Sequence, residues 1–220
     1  MLCQIRAVTV SAYLLLIVCA YLLGSIPSGY LAGRFKGIDI RTLGSGNIGA
    51  TNVFRNLGKT AGILVLLSDA LKGWLACRPL VAVIANAFHL PSTELEKATL
   101  VAGVVAILGH NYTCWLQFKG GKGVATTAGV LLGWSPVGFS IALVSWVATF
   151  AISKYVSLAS IVAAVVLPFA VWYSGGSRVM IVINACLGAL AIYKHKPNIQ
   201  RLLNGTEHRF GKKKTEAAEA

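Results

Sequence analysis

Three short segments concentrate most of the side chains able to do chemistry. The first is Gly44-Ser45-Gly46-Asn47-Ile48-Gly49-Ala50-Thr51-Asn52, followed by Arg55. Closely spaced glycines let backbone N–H groups approach an anion with no Cβ in the way, and Ser45, Asn47, Thr51 and Asn52 add neutral donors. Arg55 carries the planar fork that pairs bidentately with phosphate. A flexible turn beside a basic residue explains the same composition, so the segment alone divides evenly between the two readings.

The second segment is Lys119-Gly120-Gly121-Lys122-Gly123, with Thr126 and Thr127 beyond it. It leads into an apolar run that predicts a helix, whose free amides and positive dipole end favour a phosphate. It is not a nucleotide P-loop, because Gly123 stands where Ser or Thr must follow the Lys. A basic loop capping a helix is the plainer alternative. The third segment is His195-Lys196-Pro197-Asn198-Ile199-Gln200-Arg201, then Asn204-Gly205-Thr206-Glu207. His is the side chain best suited to proton transfer near neutral pH, though a lone interfacial His is more often simply hydrogen-bonded. Glu207, one of only seven acids, sits among bases and suits a tie to an Arg. Asp69 and Lys72, at i and i+3 in an apolar helix, can pair on one face, as a functional ion pair or a structural one.

The elements that position these residues are apolar. Hydrophobic residues make up 56% of the chain and charged ones 12%, against about 25% in a soluble domain. That excludes a disordered chain, a collagen-like chain and an ordinary soluble two-domain enzyme. Seven segments predict transmembrane helices: 8–32, 61–88, 97–114, 123–135, 137–153, 156–174 and 177–194. The second is interrupted by Asp69, Lys72 and Arg78, so it reads as two pieces or as partly buried in protein. The fourth and fifth are short, joined through Trp134-Ser135-Pro136. The run at 7–23 reads as the first span rather than a leader, since no small-x-small site follows it. The fold class is therefore an all-α integral membrane protein of about seven helices. It forms a single domain over 1–210, with a basic, polar tail over 211–220 read as disordered. No internal repeat is visible.

Lys and Arg number 20 against seven acids, a net charge of +13. With seven spans, fifteen of the 20 fall on one side: Arg34, Lys36, Arg41, Arg55, Lys59, Lys119, Lys122, Lys154, Lys194, Lys196, Arg201, Arg209, Lys212, Lys213 and Lys214. The asymmetry places the N-terminus outside and the C-terminus in the cytoplasm, with all three polar segments on the cytoplasmic face. A positive balance calls for anionic partners, here acidic lipid headgroups and phosphorylated substrates rather than nucleic acid. Five scattered cysteines without a CxxC read as small hydrophobes. Three polar, glycine-bearing clusters converging on one membrane face fit an enzyme that joins a phosphorylated polar substrate to a lipid.

At these residues the sequence resembles a known family. GSGNIGATNVFRNLGKTAG at 44–62, GHNYTCWLQFKGGKGVATT at 109–127 and HKPNIQRLLNGTE at 195–207 are similar to the three motifs of the PlsY family, bacterial acyl-phosphate:glycerol-3-phosphate acyltransferases. The similarity runs from about Gly24, where GSIPSGYLAGR is also family-like, to about Gly211. It implies a seven-helix inner-membrane enzyme with its active site at the cytoplasmic face. The reaction implied moves a fatty acyl group from acyl phosphate to the 1-hydroxyl of glycerol 3-phosphate, giving lysophosphatidic acid and phosphate. This is the first acylation of phospholipid synthesis and links the chain to the enzyme that makes acyl phosphate. No cofactor and no metal are implied. The family lacks the HxxxxD motif of other glycerolipid acyltransferases, and here no His is followed by Asp at that spacing; His89 is followed by Glu94.

Residue by residue, the resemblance assigns Ser45, Lys122, His195 and Asn198 to catalysis. It assigns Gly46, Asn47, Thr51, Asn52, Arg55, Gly120, Gly121, Gly123 and Ser160 to substrate binding, and Glu207 to structure, a role we also give Asp69 and Lys72. One departure is Lys194-His195-Lys196, where Arg commonly flanks the His; Lys keeps the charge but loses the bidentate geometry. The family has been proposed to use a substrate phosphate as the proton acceptor, with His195 as the rival general base.

Three other classes compete. A transporter of a phosphorylated metabolite needs polar groups near the midplane and related halves, whereas only Asp69 and Lys72 lie deep here. A scaffold binding acidic lipid leaves the glycine strips unexplained. A CDP-alcohol phosphotransferase needs several spaced aspartates, and this chain has only Asp39 and Asp69. His195 as an orienting ligand predicts that His195→Gln, assayed at saturating glycerol 3-phosphate, keeps most of kcat; a loss of several orders of magnitude would make His195 the base.

Overall fold

Proline and glycine divide the apolar chain into eleven α-helices among the described residues of this computed structural model, which are 2–211, with side chains described from residue 8. They are α1 (Leu2–Ser25), α2 (Ser28–Phe35), α3 (Ala50–Leu57), α4 (Lys59–Leu75), α5 (Val81–Ala87), α6 (Ser92–Asn111), α7 (Val124–Trp134), α8 (Pro136–Ser153), α9 (Val156–Tyr173), α10 (Arg178–Lys194) and α11 (Lys196–Leu203). The described residues contain no strand. The tail read over 211–220 lies outside the described residues beyond Gly211.

Five stretches are long and apolar enough to cross a membrane: Val8–Phe35, Lys59–Ala87, Ser92–Leu116, Pro136–Ser153 and Val156–Tyr173. A sixth arises if α10 and α11, bent by 57°, are taken together. The stretch read as an interrupted second span stays helical throughout. A π-helical turn at Ala76–Leu80 joins α4 to α5 and absorbs Pro79, whose ring and missing N–H a regular helix would not accept. The sequence reading of 123–135 as a full span meets a shorter element. α7 has 11 residues, about 16 Å of rise against a hydrocarbon core of about 30 Å. Its limits are set by Gly123, left-handed at φ +80°, and by Pro136, which opens α8 behind the Ser135 cap.

α1 packs along α6, α4 along α7, α8 along α9 and α9 along α10. Apolar surface gains little by leaving lipid for protein, so these contacts rest on close backbone approach between small residues. Gly129 shows the constraint. A Cβ there would stand 1.8 Å from the Ala70 carbonyl oxygen, so α7 can lie on α4 only with glycine at this position. Large apolar side chains such as Leu14, Leu64, Val144 and Phe169 point outward, as lipid-facing residues do. Together these pairings bring the first loop, the 119–123 strip and the α10–α11 bend to one end of the bundle.

Candidate functional site

The first polar segment is folded by its own amides. Asn52 is buried, and its Oδ1 accepts from the Ser45 N–H at 3.0 Å while Nδ2 donates to the Ile40 and Leu43 carbonyls at 3.2 and 3.0 Å. Asn47 Oδ1 accepts from the Gly49 N–H at 2.8 Å. The loop so fixed presents Ser45, Asn47, Thr51 and Arg55 to a common cleft, with Thr51 and Arg55 four apart on one face of α3. Asn52, read as a substrate ligand, thus has its amide committed to loop carbonyls and the Ser45 N–H. Gly46 does not line the cleft; its φ of +69° makes the turn.

The second segment lies on the end of α6. The His110 and Asn111 carbonyls accept from the Gly121 and Gly120 N–H groups at 3.1 and 3.2 Å. A Cβ on Gly121 would sit 2.1 Å from His110 Nε2. Gly120 and Gly121, read as a phosphate cradle, are therefore contact points that seat the strip on α6, and neither lines the cleft. Gly123, Lys122 and the first turn of α7 do line it.

The third segment turns at His195, between α10 and α11 and beyond the apolar span. His195 is buried, with Nδ1 2.8 Å from the Ala191 carbonyl. Because a carbonyl only accepts, Nδ1 carries the hydrogen. Burial, then the nearby Lys122 charge, brings the His195 imidazole down to about 4, so at neutral pH Nε2 is a bare acceptor. Asn198 joins the segments. Its Oδ1 accepts from Lys122 Nζ, and its Nδ2 donates to Glu207 Oε1 at 2.9 Å. Glu207 Oε1 also accepts from Ser157 Oγ at 3.1 Å, and Oε2 from Arg201 Nε at 2.7 Å. Burial raises the Glu207 carboxyl, but hydrogen bonds from Arg201, Asn198 and Ser157 outweigh it and keep it below the usual range. Burial, helped by the Arg201 and Arg55 charges, lowers the Lys122 ammonium to about 8. Burial likewise lowers Arg55, whose Nε has no hydrogen-bond partner.

Asp69 and Lys72 do pair, at 2.8 Å and both buried, and Lys72 Nζ also donates to the Ile26 carbonyl at 2.7 Å. Asp69 lines the cleft beside His110, whose Nδ1 is 3.6 Å from Asp69 Oδ1. Sequence reasoning missed His110 as a site residue; its signal was an ionisable group ending an apolar helix within the second motif. Ser160 lines the cleft, with Oγ bonded to the Val156 carbonyl and accepting from Trp146 Nε1 at 3.1 Å.

The cleft holds about 320 Å³. From the polar mouth it continues between α7, α8, α9 and α10 along Leu131, Phe139, Trp146, Leu167 and Leu187. Leu131 and Leu167 lie seven and eleven residues into their helices, about 10 and 16 Å from the polar end. A mouth lined by Arg55 and Lys122 over an apolar groove suits a molecule that is anionic at one end and aliphatic at the other. These apolar lining residues were not singled out from sequence, where they resemble any lipid-facing residue.

The family model described as glycerol-3-phosphate acyltransferase matches residues 14–205. A glycerol-3-phosphate acyltransferase of Geotalea daltonii is 48% identical over 197 residues, covering 90% of this chain and 97% of the relative. One from Fusobacterium nucleatum is 44% identical over 200 residues, covering 90% and 98%. A crystal structure of PlsY (YgiH), an integral membrane glycerol 3-phosphate acyltransferase, in its glycerol 3-phosphate form is 41% identical with a TM-score of 0.81, covering 90% of this chain and 96% of that one. Its lysophosphatidic acid form superposes with a TM-score of 0.78, covering 90% and 95%.

The buried Asp69–Lys72 pair yields a stability test. Asp69→Asn leaves the Lys72 charge without its counter-ion and should cost about 3 kcal/mol, seen as a lower melting temperature in detergent. Replacing both, as Asp69→Asn with Lys72→Met, should recover most of the loss.

Proposed function

The chain belongs to the glycerol-3-phosphate acyltransferase family, and we propose that it transfers a fatty acyl group from acyl phosphate to the 1-hydroxyl of glycerol 3-phosphate. The products are lysophosphatidic acid and inorganic phosphate. The observation that carries this reading is the continuity of one cleft from Arg55 and Lys122 to the apolar groove ending at Leu131 and Leu167. The site works at the cytoplasmic face of the bacterial inner membrane, in a fold of seven crossings in which α7 is the short one. The N-terminus is outside, an orientation supported by the fifteen basic residues on one side. Acyl phosphate comes from a separate acyl-transferring enzyme. No cofactor takes part.

Acyl phosphate is a mixed anhydride with a good leaving group, so the protein's task is to hold two mutually repelling anions in line and stabilise the developing oxyanion. Arg55 and Lys122, with the amides of Gly123 and the first turn of α7, bind the phosphates. Ser45, Asn47 and Thr51 add neutral donors. His195 Nε2 accepts from a glycerol hydroxyl, and Asn198 holds both Lys122 and the bend that carries His195. Asn52, Gly46, Gly120, Gly121 and Ser160 shape this surface, and Glu207, Asp69 and Lys72 support it from beneath. The 1-hydroxyl oxygen forms the new bond to the acyl carbon while the bond from that carbon to the phosphate oxygen breaks. The hydroxyl proton passes to a substrate phosphate oxygen and phosphate departs. A phosphate dianion, with a second pKa of about 6, is a better proton acceptor than an imidazole held at about 4.

Purified protein given palmitoyl phosphate and glycerol 3-phosphate should release phosphate only when both are present. Palmitoyl-CoA should not replace the acyl donor, and Lys122→Ala should abolish turnover. Failure of the folded protein to turn over the pair would overturn the proposal.

Lys122 also fixes a pH dependence. Its ammonium is present below about 8 and is lost as pH rises through that value, whereas an exposed lysine keeps its proton to about 10. Substrate phosphates are already dianionic there, so KM for the phosphate bound by Lys122 should be flat near pH 7 and rise above pH 8. Lys122→Arg should move that break to higher pH.

A further inference from the structure

Past Glu207 the chain runs back against α3 and α8, beside the cleft residue Arg55. The Phe210 N–H donates to the Lys154 carbonyl at 2.9 Å, which fixes where the ring lies. The half-buried ring is flanked by Phe54 of α3 with centroids 5.9 Å apart, by Phe150 of α8 edge-on at 5.6 Å, and by His208 stacked at 5.5 Å. The Arg55 guanidinium carbon stands over the Phe210 face, 5.3 Å from its centroid. Phe150 in turn stacks on Trp146 at 5.3 Å, and Trp146 forms part of the cleft wall beside Ser160.

A carboxylate in this place would pair with Arg55 and occupy the N–H groups that must meet an anion. An aromatic face attracts a cation through its ring quadrupole and takes no N–H in doing so. We propose that Phe210 is a positioning residue for the anion site: its ring holds the Arg55 guanidinium at the mouth of the cleft with its donors free for a substrate phosphate. This rests on the reading of Arg55 as a phosphate ligand. The same ring meets α8, so the segment following Glu207 braces the phosphate donor and the wall of the apolar groove together.

The test compares Phe210→Leu, Phe210→Met and Phe210→Tyr in the full chain, each alone and, for Leu, combined with Arg55→Lys. Steady-state kinetics would follow palmitoyl phosphate and glycerol 3-phosphate separately. Arg55→Lys identifies the substrate that Arg55 holds as the one whose KM it raises. Phe210→Leu and Phe210→Met should raise that same KM about fivefold with kcat within about twofold, and Phe210→Tyr should restore it. Adding Phe210→Leu to Arg55→Lys should change KM by much less than it does alone. An unchanged KM with the ring-free variants, an equal effect in both backgrounds, or loss of folded protein with both ring-free variants would overturn the proposal. If Arg55→Lys raises neither KM, the reading of Arg55 fails and this inference with it. If the wild-type protein shows no turnover, the proposed function fails.

Discussion

Glu207 stands 2.9 Å from the Asn198 amide, 3.1 Å from the Ser157 hydroxyl and 2.7 Å from Arg201, and the geometry of the cleft depends on this one carboxylate. A buried anion must be paired or hydrogen-bonded to be tolerated, and here it is both. Its reach to Lys122 is indirect. The Asn198 side chain accepts from Lys122 on one side and donates to Glu207 on the other. A direct ion pair would place a negative charge against the ammonium and compete with any incoming phosphate. The intervening amide fixes where Lys122 points and leaves its charge without a direct counter-ion.

The same distinction sorts the basic residues that can be followed in the structure. Lys72 is paired with Asp69, Arg201 with Glu207, Arg41 with Asp39 and Lys97 with Glu94. Several other bases have no such partner among the described residues, and of these Arg55 and Lys122 are the two that line the cleft. Four of the seven acids, Asp39, Asp69, Glu94 and Glu207, are used in these pairs, and Glu96 instead accepts from the Ser177 hydroxyl at 2.8 Å. Glu207 and Asp69, the buried ones, each sit against the floor of the site. Of the described cations, the two held off from carboxylates at the cleft are the ones left free to meet an anion.

Much of this was legible in the sequence because the polar residues are few. In an apolar chain, Asp69 and Lys72 at i and i+3 have little choice but each other, and Glu207 among bases points to an Arg, which the structure shows is Arg201. The long apolar helices likewise follow from the apolar runs and their proline boundaries, whereas the short α3 and α11, which lie in the polar segments, were not read as helices. What could not be read is which glycines face a ligand and which face protein. Gly120, Gly121 and Gly123 look alike in sequence, yet the first two meet α6 and only the third borders the cleft. The apolar groove was hidden for a related reason. Leu131 is buried and its neighbour Leu132 is 44% exposed, a difference set by rotation about α7 that hydropathy does not record when lipid and groove are equally apolar. Phe210 was hidden because a single aromatic in a basic tail has no periodicity to place it.

The location of the site at a helix bend follows from the same physics. A continuous helix through 178–203 would leave no free backbone groups near the membrane face. Pro197 removes an N–H and favours the first turn of a new helix, so α11 leaves α10 at 57° and His195 occupies the corner. There the Ala191 carbonyl fixes the ring through Nδ1, and burial beside Lys122 keeps the ring neutral. An imidazolium in that position would add a third cation and give up the acceptor at Nε2. The structure instead keeps the positive charge on Arg55 and Lys122 and the acceptor on His195, which is the division of charge that a hydroxyl-bearing phosphate requires of its receptor.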